Sequence, residues 1–151
     1  MTRILVAEDN ATNRELFREL LEVRGFEVDE ACDGPQALAM LEQSLPDILL
    51  LDIGMPVLDG FAVVRAIRQN PLFAGLPVLA VTAYAMHGDR ERILSSGFDG
   101  YLSKPINAKA LADEIERILF QRNHPDAGSK QSEGDAEQKK RAAGAPGSLK
   151  T

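Results

Sequence analysis

Two hydrophobic rhythms alternate along the chain. Short apolar runs occur at Arg3-Ile4-Leu5-Val6-Ala7, at Ile48-Leu49-Leu50-Leu51 and at Val78-Leu79-Ala80-Val81-Thr82. Runs of this length bounded by turn signals suit strands buried on both faces of a parallel sheet. Glu27 to Ala31 is a shorter, more polar run that reads as a second, edge strand, and Asp99 to Ser103 reads as the fifth. Between these runs the period becomes helical. Leu16, Phe17, Leu20 and Leu21 make one stripe, with Arg14, Glu15, Arg18, Glu19 and Glu22 opposite. Ala37, Leu38 and Leu41 face inward on a second helix that opens at Asp33-Gly34-Pro35, with proline in the first turn. Phe61, Val64 and Ile67 mark a third, with Asp59 as its cap and Arg65 and Arg68 outward. A weak, largely polar helix from Asp89 to Ser96 is anchored by Ile93 and Leu94, and Leu111, Ile115, Ile118 and Leu119 form the last stripe behind the cap Asn107. Gly25 and Gly97 stand where helix C-terminal glycines belong. Strands alternating with helices in this way predict an α/β domain, a doubly wound five-stranded parallel sheet with helices on both faces.

In such a sheet every strand ends on the same edge, and ligands bind just beyond those ends. The first strand delivers Glu8 and Asp9 there, the third Asp52, the fourth Thr82, and the fifth Ser103-Lys104-Pro105. Taken singly, each residue has an ordinary structural role: Asp9 or Asp52 as a helix cap, Thr82 as a strand-end hydroxyl, Lys104 as a surface lysine. Their agreement across four strand ends is what carries chemistry. Two like charges ~4 Å apart at an effective dielectric near 20 repel by roughly 4 kcal/mol. Three acids facing one ammonium therefore call for a further cation, and carboxylates, a backbone carbonyl and water suit Mg²⁺. An ion held by few protein ligands keeps positions open for phosphate oxygens. The arrangement points to phosphoryl transfer onto Asp52 as nucleophile, with Mg²⁺ and Lys104 neutralising the transferred oxygens and Thr82 hydrogen-bonding them.

Composition narrows the partners. The formal net charge is −6; the segment from Asp126 onward is +1, so residues 1–125 carry −7. An acidic body excludes non-specific nucleic-acid binding, which needs a basic footprint. The single cysteine, Cys32, excludes an internal disulfide and a cysteine zinc site, and its strand-like setting predicts burial. No apolar stretch approaches the ~20 residues that span a bilayer, and Met1 leads straight into Thr-Arg-Ile-Leu-Val, not a signal peptide, so a cytoplasmic protein that does not engage membrane is expected. Residues 123–151 are rich in Gly, Ala, Ser, Lys and Glu and are expected to be a disordered tail with no output domain. Lys139-Lys140-Arg141 within it reads as a solvated run or a small docking patch.

Glu8-Asp9-Asn10, the Asp52-to-Gly60 segment with Met55-Pro56, Thr82-Ala83-Tyr84-Ala85 and Tyr101-Leu102-Ser103-Lys104-Pro105 together resemble the receiver domain of two-component response regulators. The resemblance covers residues 3–121, and residues 1–122 are read as the receiver domain. It implies the flavodoxin-like strand order 2-1-3-4-5. It implies that Asp52 accepts phosphate from the phosphohistidine of a histidine kinase or histidine phosphotransfer protein. Mg²⁺ would be held by Asp9, Asp52 and the Gly54 backbone carbonyl, with Glu8 acting through water. Thr82 and Tyr101 would be the switch pair, reshaping the face of the fourth helix, fifth strand and fifth helix for a downstream protein, and Lys104-Pro105 would be a cis peptide. Such a protein is not a turnover enzyme but assists its own phosphorylation and dephosphorylation, as a monomer or a phosphorylation-dependent dimer. It would be a single-domain regulator, a phosphorelay intermediate or a receiver excised from a hybrid kinase, and the Asp-Asn opening and Ala85-to-Arg90 run resemble hybrid-kinase and single-domain receivers.

Two details depart from the commonest pattern. Glu8 stands in place of Asp, and Gly54 leaves no side chain over the phosphoacceptor, which predicts freer access of water unless Tyr84 shields the site. His87 reads as a surface residue. A phosphohydrolase of the haloacid-dehalogenase type also uses Asp, Thr, Lys and Mg²⁺ but needs a second Asp at position 54, where this chain has Gly. A flavodoxin-like flavin carrier is opposed by Glu8-Asp9, which would repel its phosphate.

Overall fold

The structure, a computed structural model, describes residues 1–55, 57–83 and 87–124, with the backbone alone at 87 and 88. Five strands alternate with five helices: β1 (Arg3–Ala7), α1 (Ala11–Glu22), β2 (Glu27–Ala31), α2 (Gly34–Gln43), β3 (Ile48–Asp52), α3 (Gly60–Gln69), β4 (Val78–Thr82), α4 (His87–Ser95), β5 (Gly100–Ser103) and α5 (Ala108–Asn123). All strands are parallel, in the order β2-β1-β3-β4-β5. The polar run Glu27 to Ala31 is an edge strand, as its composition predicts, while all five residues of β3 and of β4 are buried.

The period-two alternation of the strands divides the core between two layers. Leu5, Ala7, Leu49, Leu51, Val78 and Ala80 pack with Ala37 and Leu41 of α2, Val63, Val64 and Ile67 of α3, and Ile93 of α4. The alternate positions Ile4, Val6, Ile48, Leu50, Leu79 and Val81 are left for the other face, with Phe17 and Leu21 of α1 and Leu111, Ala112, Ile115 and Ile118 of α5. Helices on both faces follow from central strands, β1, β3 and β4, that carry no polar side. These contacts belong to the compact unit Met1–Ile118; in the second unit, from Leu119, the described residues complete α5, where Phe120 and His124 stack with centroids 4.1 Å apart.

Local signals place the helix ends where the sequence marks them. Asp33, Asp59 and Asn107 accept from the amides of Gln36, Ala62 and Ala110 respectively, at 2.8, 2.9 and 3.0 Å. Gly25 takes φ +90° after α1, the left-handed geometry that favours glycine, and Lys104-Pro105 is cis as the resemblance implies.

Several side chains differ from the expected pattern. Leu16 is 46% exposed, so the buried arc of α1 is narrower than its stripe. Leu94 is equally exposed, and of the two expected anchors of α4 Ile93 is the buried one, because consecutive helical residues lie ~100° apart and cannot both face the sheet. Arg68 does not point outward: it donates to the carbonyls of Gly97, Ala74 and Leu76 and pairs with Asp99 at 3.0 Å. Cys32 is exposed, not buried, because β2 stops at Ala31 and Cys32 already lies in the turn toward α2, its amide donating to Gln36 Oε1. The expectations for Pro56, Tyr84, the side chain of His87 and residues 125–151, including the disordered tail and Lys139-Lys140-Arg141, lie outside the described residues.

Candidate functional site

Among the described residues, the buried polar or charged side chains are Glu8, Asp52 and Thr82. All three sit at carboxyl ends of strands, and all three were singled out from the sequence. The sheet register explains the meeting. Ala7 pairs with Leu51, so Glu8 and Asp52 stand side by side one step further on. Thr82 pairs with Ser103, and one step beyond, Lys104 returns its amide to the Thr82 carbonyl at 2.8 Å.

The Lys104 ammonium lies 3.2 Å from Glu8 Oε1 and 3.5 Å from Asp52 Oδ2. Asp9 joins from the exposed side: one carboxylate oxygen from each of Glu8, Asp9 and Asp52 falls within 4.8 Å of the others. Two buried acids thus share one cation. Burial, reinforced by the Asp52 charge, pushes the Glu8 carboxyl above its usual range, against the pull of Asn10's amide and Lys104. Burial opposes the charge on Lys104, but Asp52 and Glu8 overcome it and raise its pKa. The cluster is short of positive charge, and its donors are all oxygen. That set fits a hard divalent cation such as Mg²⁺.

The cap roles that could have absorbed Asp9 and Asp52 are taken by neighbours. Asn10, not Asp9, caps α1, accepting from the Asn13 amide at 2.9 Å, and Asp59 caps α3. The turn after β3 aims Asp52: the Gly54 amide donates to Asp52 Oδ1 at 3.0 Å, and the Gly60 amide returns to the Ile53 carbonyl at 3.0 Å. A Cβ on Gly60 would stand 2.7 Å from the Ile53 Cα, so only glycine closes this turn. Among the described residues, a Cβ on Gly54 would meet only Asp52 Oδ1, at 3.8 Å. Val57 in the same turn takes φ +71°, a strained conformation for a β-branched residue.

Tyr101 pairs with Ala80 while Thr82 pairs with Ser103, so Thr82 and Tyr101 belong to the same face of the sheet. The Tyr101 ring is half-buried, with the Arg90 guanidinium 5.5 Å from its centroid. The contact of Arg90 with Tyr101 had no signal in the sequence. Neither did the fold-back of Arg14 and Arg18, expected on the solvent face, onto Glu30 of β2.

A doubly wound α/β module with a carboxylate cluster at its switch edge defines the class of protein. The sequence matches the family model of the response regulator receiver domain over residues 4–116. The chain belongs to that family, the phosphoacceptor signalling modules of two-component systems, which are not turnover enzymes. It is 46% identical over 120 residues to hybrid signal transduction histidine kinase I of Dictyostelium discoideum, matching over 75% of this chain but only 7% of that relative's length. It is 37% identical over 116 residues to the polar-differentiation response regulator DivK of Brucella anthropi, covering 77% of this chain and 94% of DivK. The chemotaxis protein CheY4 of Vibrio cholerae superposes with a TM-score of 0.74 at 30% identity, over 78% of this chain and 98% of that one. The receiver domain of sensor histidine kinase PA1611 from Pseudomonas aeruginosa, solved with a magnesium ion coordinated in its active-site cleft, superposes at 0.73 with 35% identity, over 79% and 98%. Among the described residues no helix is long and apolar enough to cross a membrane.

Proposed function

We propose that this protein accepts a phosphoryl group on Asp52 from the phosphohistidine of a histidine kinase or phosphotransfer protein and switches a protein-binding surface in response. The observation that carries this reading is the charge imbalance: Glu8 and Asp52, both buried, share the single ammonium of Lys104, with Asp9 alongside. A fold with no use for this edge would place apolar residues there, because acids buried without full compensation are destabilising.

Asp9, Asp52 and the Gly54 carbonyl would hold Mg²⁺, with Glu8 acting through water. The ion supplies positive charge toward the phosphoryl oxygens when bound. An Asp52 oxygen attacks the phosphorus; its lone pair forms the O–P bond while the N–P bond breaks and its electron pair returns to the imidazole. Lys104, already between Glu8 and Asp52, donates to a phosphoryl oxygen. The Thr82 hydroxyl, one strand away, turns to the same group, and Tyr101 on its face of the sheet moves into the space released. That couples the site to the surface of α4, β5 and α5, where a downstream protein would read it. With no side chain at position 54 to cover Asp52 Oδ1, water has freer access to the acyl phosphate unless Tyr84 shields it.

Intact-mass measurement after incubation with acetyl phosphate and Mg²⁺ tests this. One added phosphoryl group is expected, absent in Asp52→Asn and absent when the metal is chelated. No addition to the wild-type chain, or equal addition to Asp52→Asn, overturns the assignment. Turnover of a generic phosphate ester would instead favour a hydrolase.

A further inference from the structure

Both residues that bring metal-binding carboxylates from β1 are held from behind by one arginine. Arg14 Nη1 donates to the main-chain carbonyl of Glu8 at 2.8 Å and to that of Asp9 at 3.2 Å. Its side chain is only 19% exposed, and its Nε pairs with Glu30 Oε1 at 3.2 Å. Glu30 is in turn gripped by Arg18, whose hydrogen bond is the main reason its carboxyl sits below the usual range, so it stays ionised as an anchor. The Glu8 amide also donates to the Ala31 carbonyl at 3.1 Å, tying the same segment to the end of β2.

The loop needs such a hold. Its two carboxylates point toward Asp52, and mutual repulsion favours swinging the loop away whenever no divalent ion is bound. A guanidinium has the planar fork of donors that can bridge two consecutive carbonyls and a carboxylate at once, which a lysine ammonium cannot do with the same fixed geometry. From this arrangement we propose that Arg14, locked by Glu30, is a positioning residue that pre-sets Glu8 and Asp9 for the cation. The inference rests on the phosphoacceptor reading above only in taking that cation to be Mg²⁺.

Electrostatics and positioning predict opposite signs here. Arg14 is a positive charge close to the cation site, so deleting it for charge reasons alone would tighten Mg²⁺ binding. Positioning predicts weaker binding, since partners that orient metal ligands are worth about 10–100-fold in affinity. The experiment is calorimetric titration of the full chain with Mg²⁺, in the absence of any phosphodonor, for wild type, Arg14→Met, Arg14→Lys and Glu30→Gln. Arg14→Met keeps the aliphatic packing and is expected to weaken Mg²⁺ about tenfold, with Arg14→Lys and Glu30→Gln between it and wild type. Unfolding without metal, followed on the same samples, separates the effect from stability: a purely structural arginine would lower the melting temperature and leave the affinity of the folded protein unchanged. Unchanged or tighter Mg²⁺ binding in folded Arg14→Met overturns the proposal, and if that variant does not fold, affinities within twofold of wild type in Arg14→Lys and Glu30→Gln do so. Absence of Mg²⁺ binding by the wild-type chain would instead overturn the metal assignment itself.

Discussion

Two carboxylate clusters flank the end of β1, and they are built in opposite ways. In one, Glu30 receives two arginines, Arg14 and Arg18, and its carboxyl is held below the usual range, first by the Arg18 hydrogen bond. In the other, Glu8 and Asp52 divide one lysine, and burial pushes the Glu8 carboxyl up. The first cluster is satisfied and partly exposed, as expected of ion pairs that hold a fold together. The second is undersupplied with positive charge and buried. Apolar packing would have been more stabilising there, and the imbalance is what the proposed phosphoryl chemistry would require.

Removing the shared cation is the strongest way to break that contrast. Lys104→Met should slow phosphoryl uptake on Asp52 by about 100-fold, the usual range for losing one donor to a developing anionic centre. Single-turnover uptake from acetyl phosphate measures it, and a loss below about threefold would mean that Lys104 belongs to structure, like Arg18. Next in size is Gly60→Ala, whose Cβ would sit 2.7 Å from the Ile53 Cα, against backbone that cannot step aside. Overpacking of this kind costs about 2 kcal/mol, read from the urea midpoint, and it should disturb Asp52 while leaving Glu30 unaffected. A smaller change of opposite sign is expected at Val57, which is 89% exposed at φ +71°. Val57→Gly should stabilise by about 1 kcal/mol, because the left-handed conformation costs an L-residue of this shape roughly that much. Thermal melts check it.

The gentlest perturbation sharpens the comparison most. Glu8 has a folded pKa above its unfolded value of about 4.5, so the folded state binds the extra proton and stability from this group falls as pH rises from there through the raised folded value. Glu30 has a folded pKa below 4.5, so its stabilisation is present above that value and is lost as pH falls through the folded one. In metal-free protein, Glu8→Gln should therefore flatten the decline of stability on the alkaline side of that point. Glu30→Gln should flatten the decline on the acid side. Denaturant unfolding across pH measures both, and slopes of the same sign would erase the distinction drawn between the clusters.

The alternation of strand and helix, the edge position of β2, the caps Asp33, Asp59 and Asn107, and the convergence of Glu8, Asp52, Thr82 and Lys104 were all determined by the sequence. Each depends on local chemistry or on one topological rule, that parallel strands end together. What the tertiary structure alone decided is where long or amphipathic side chains come to rest. Arg14, Arg18 and Arg68 have the polarity of a solvent face, yet each spans several ångströms of aliphatic stem to carbonyls or acids on another element. Leu16 and Leu94 have the polarity of a core, yet each is nearly half exposed on its helix. Hydrophobic periodicity fixes which way a residue leaves its helix. The reach of its side chain, and what lies within that reach, exists only once the helices are packed on the sheet.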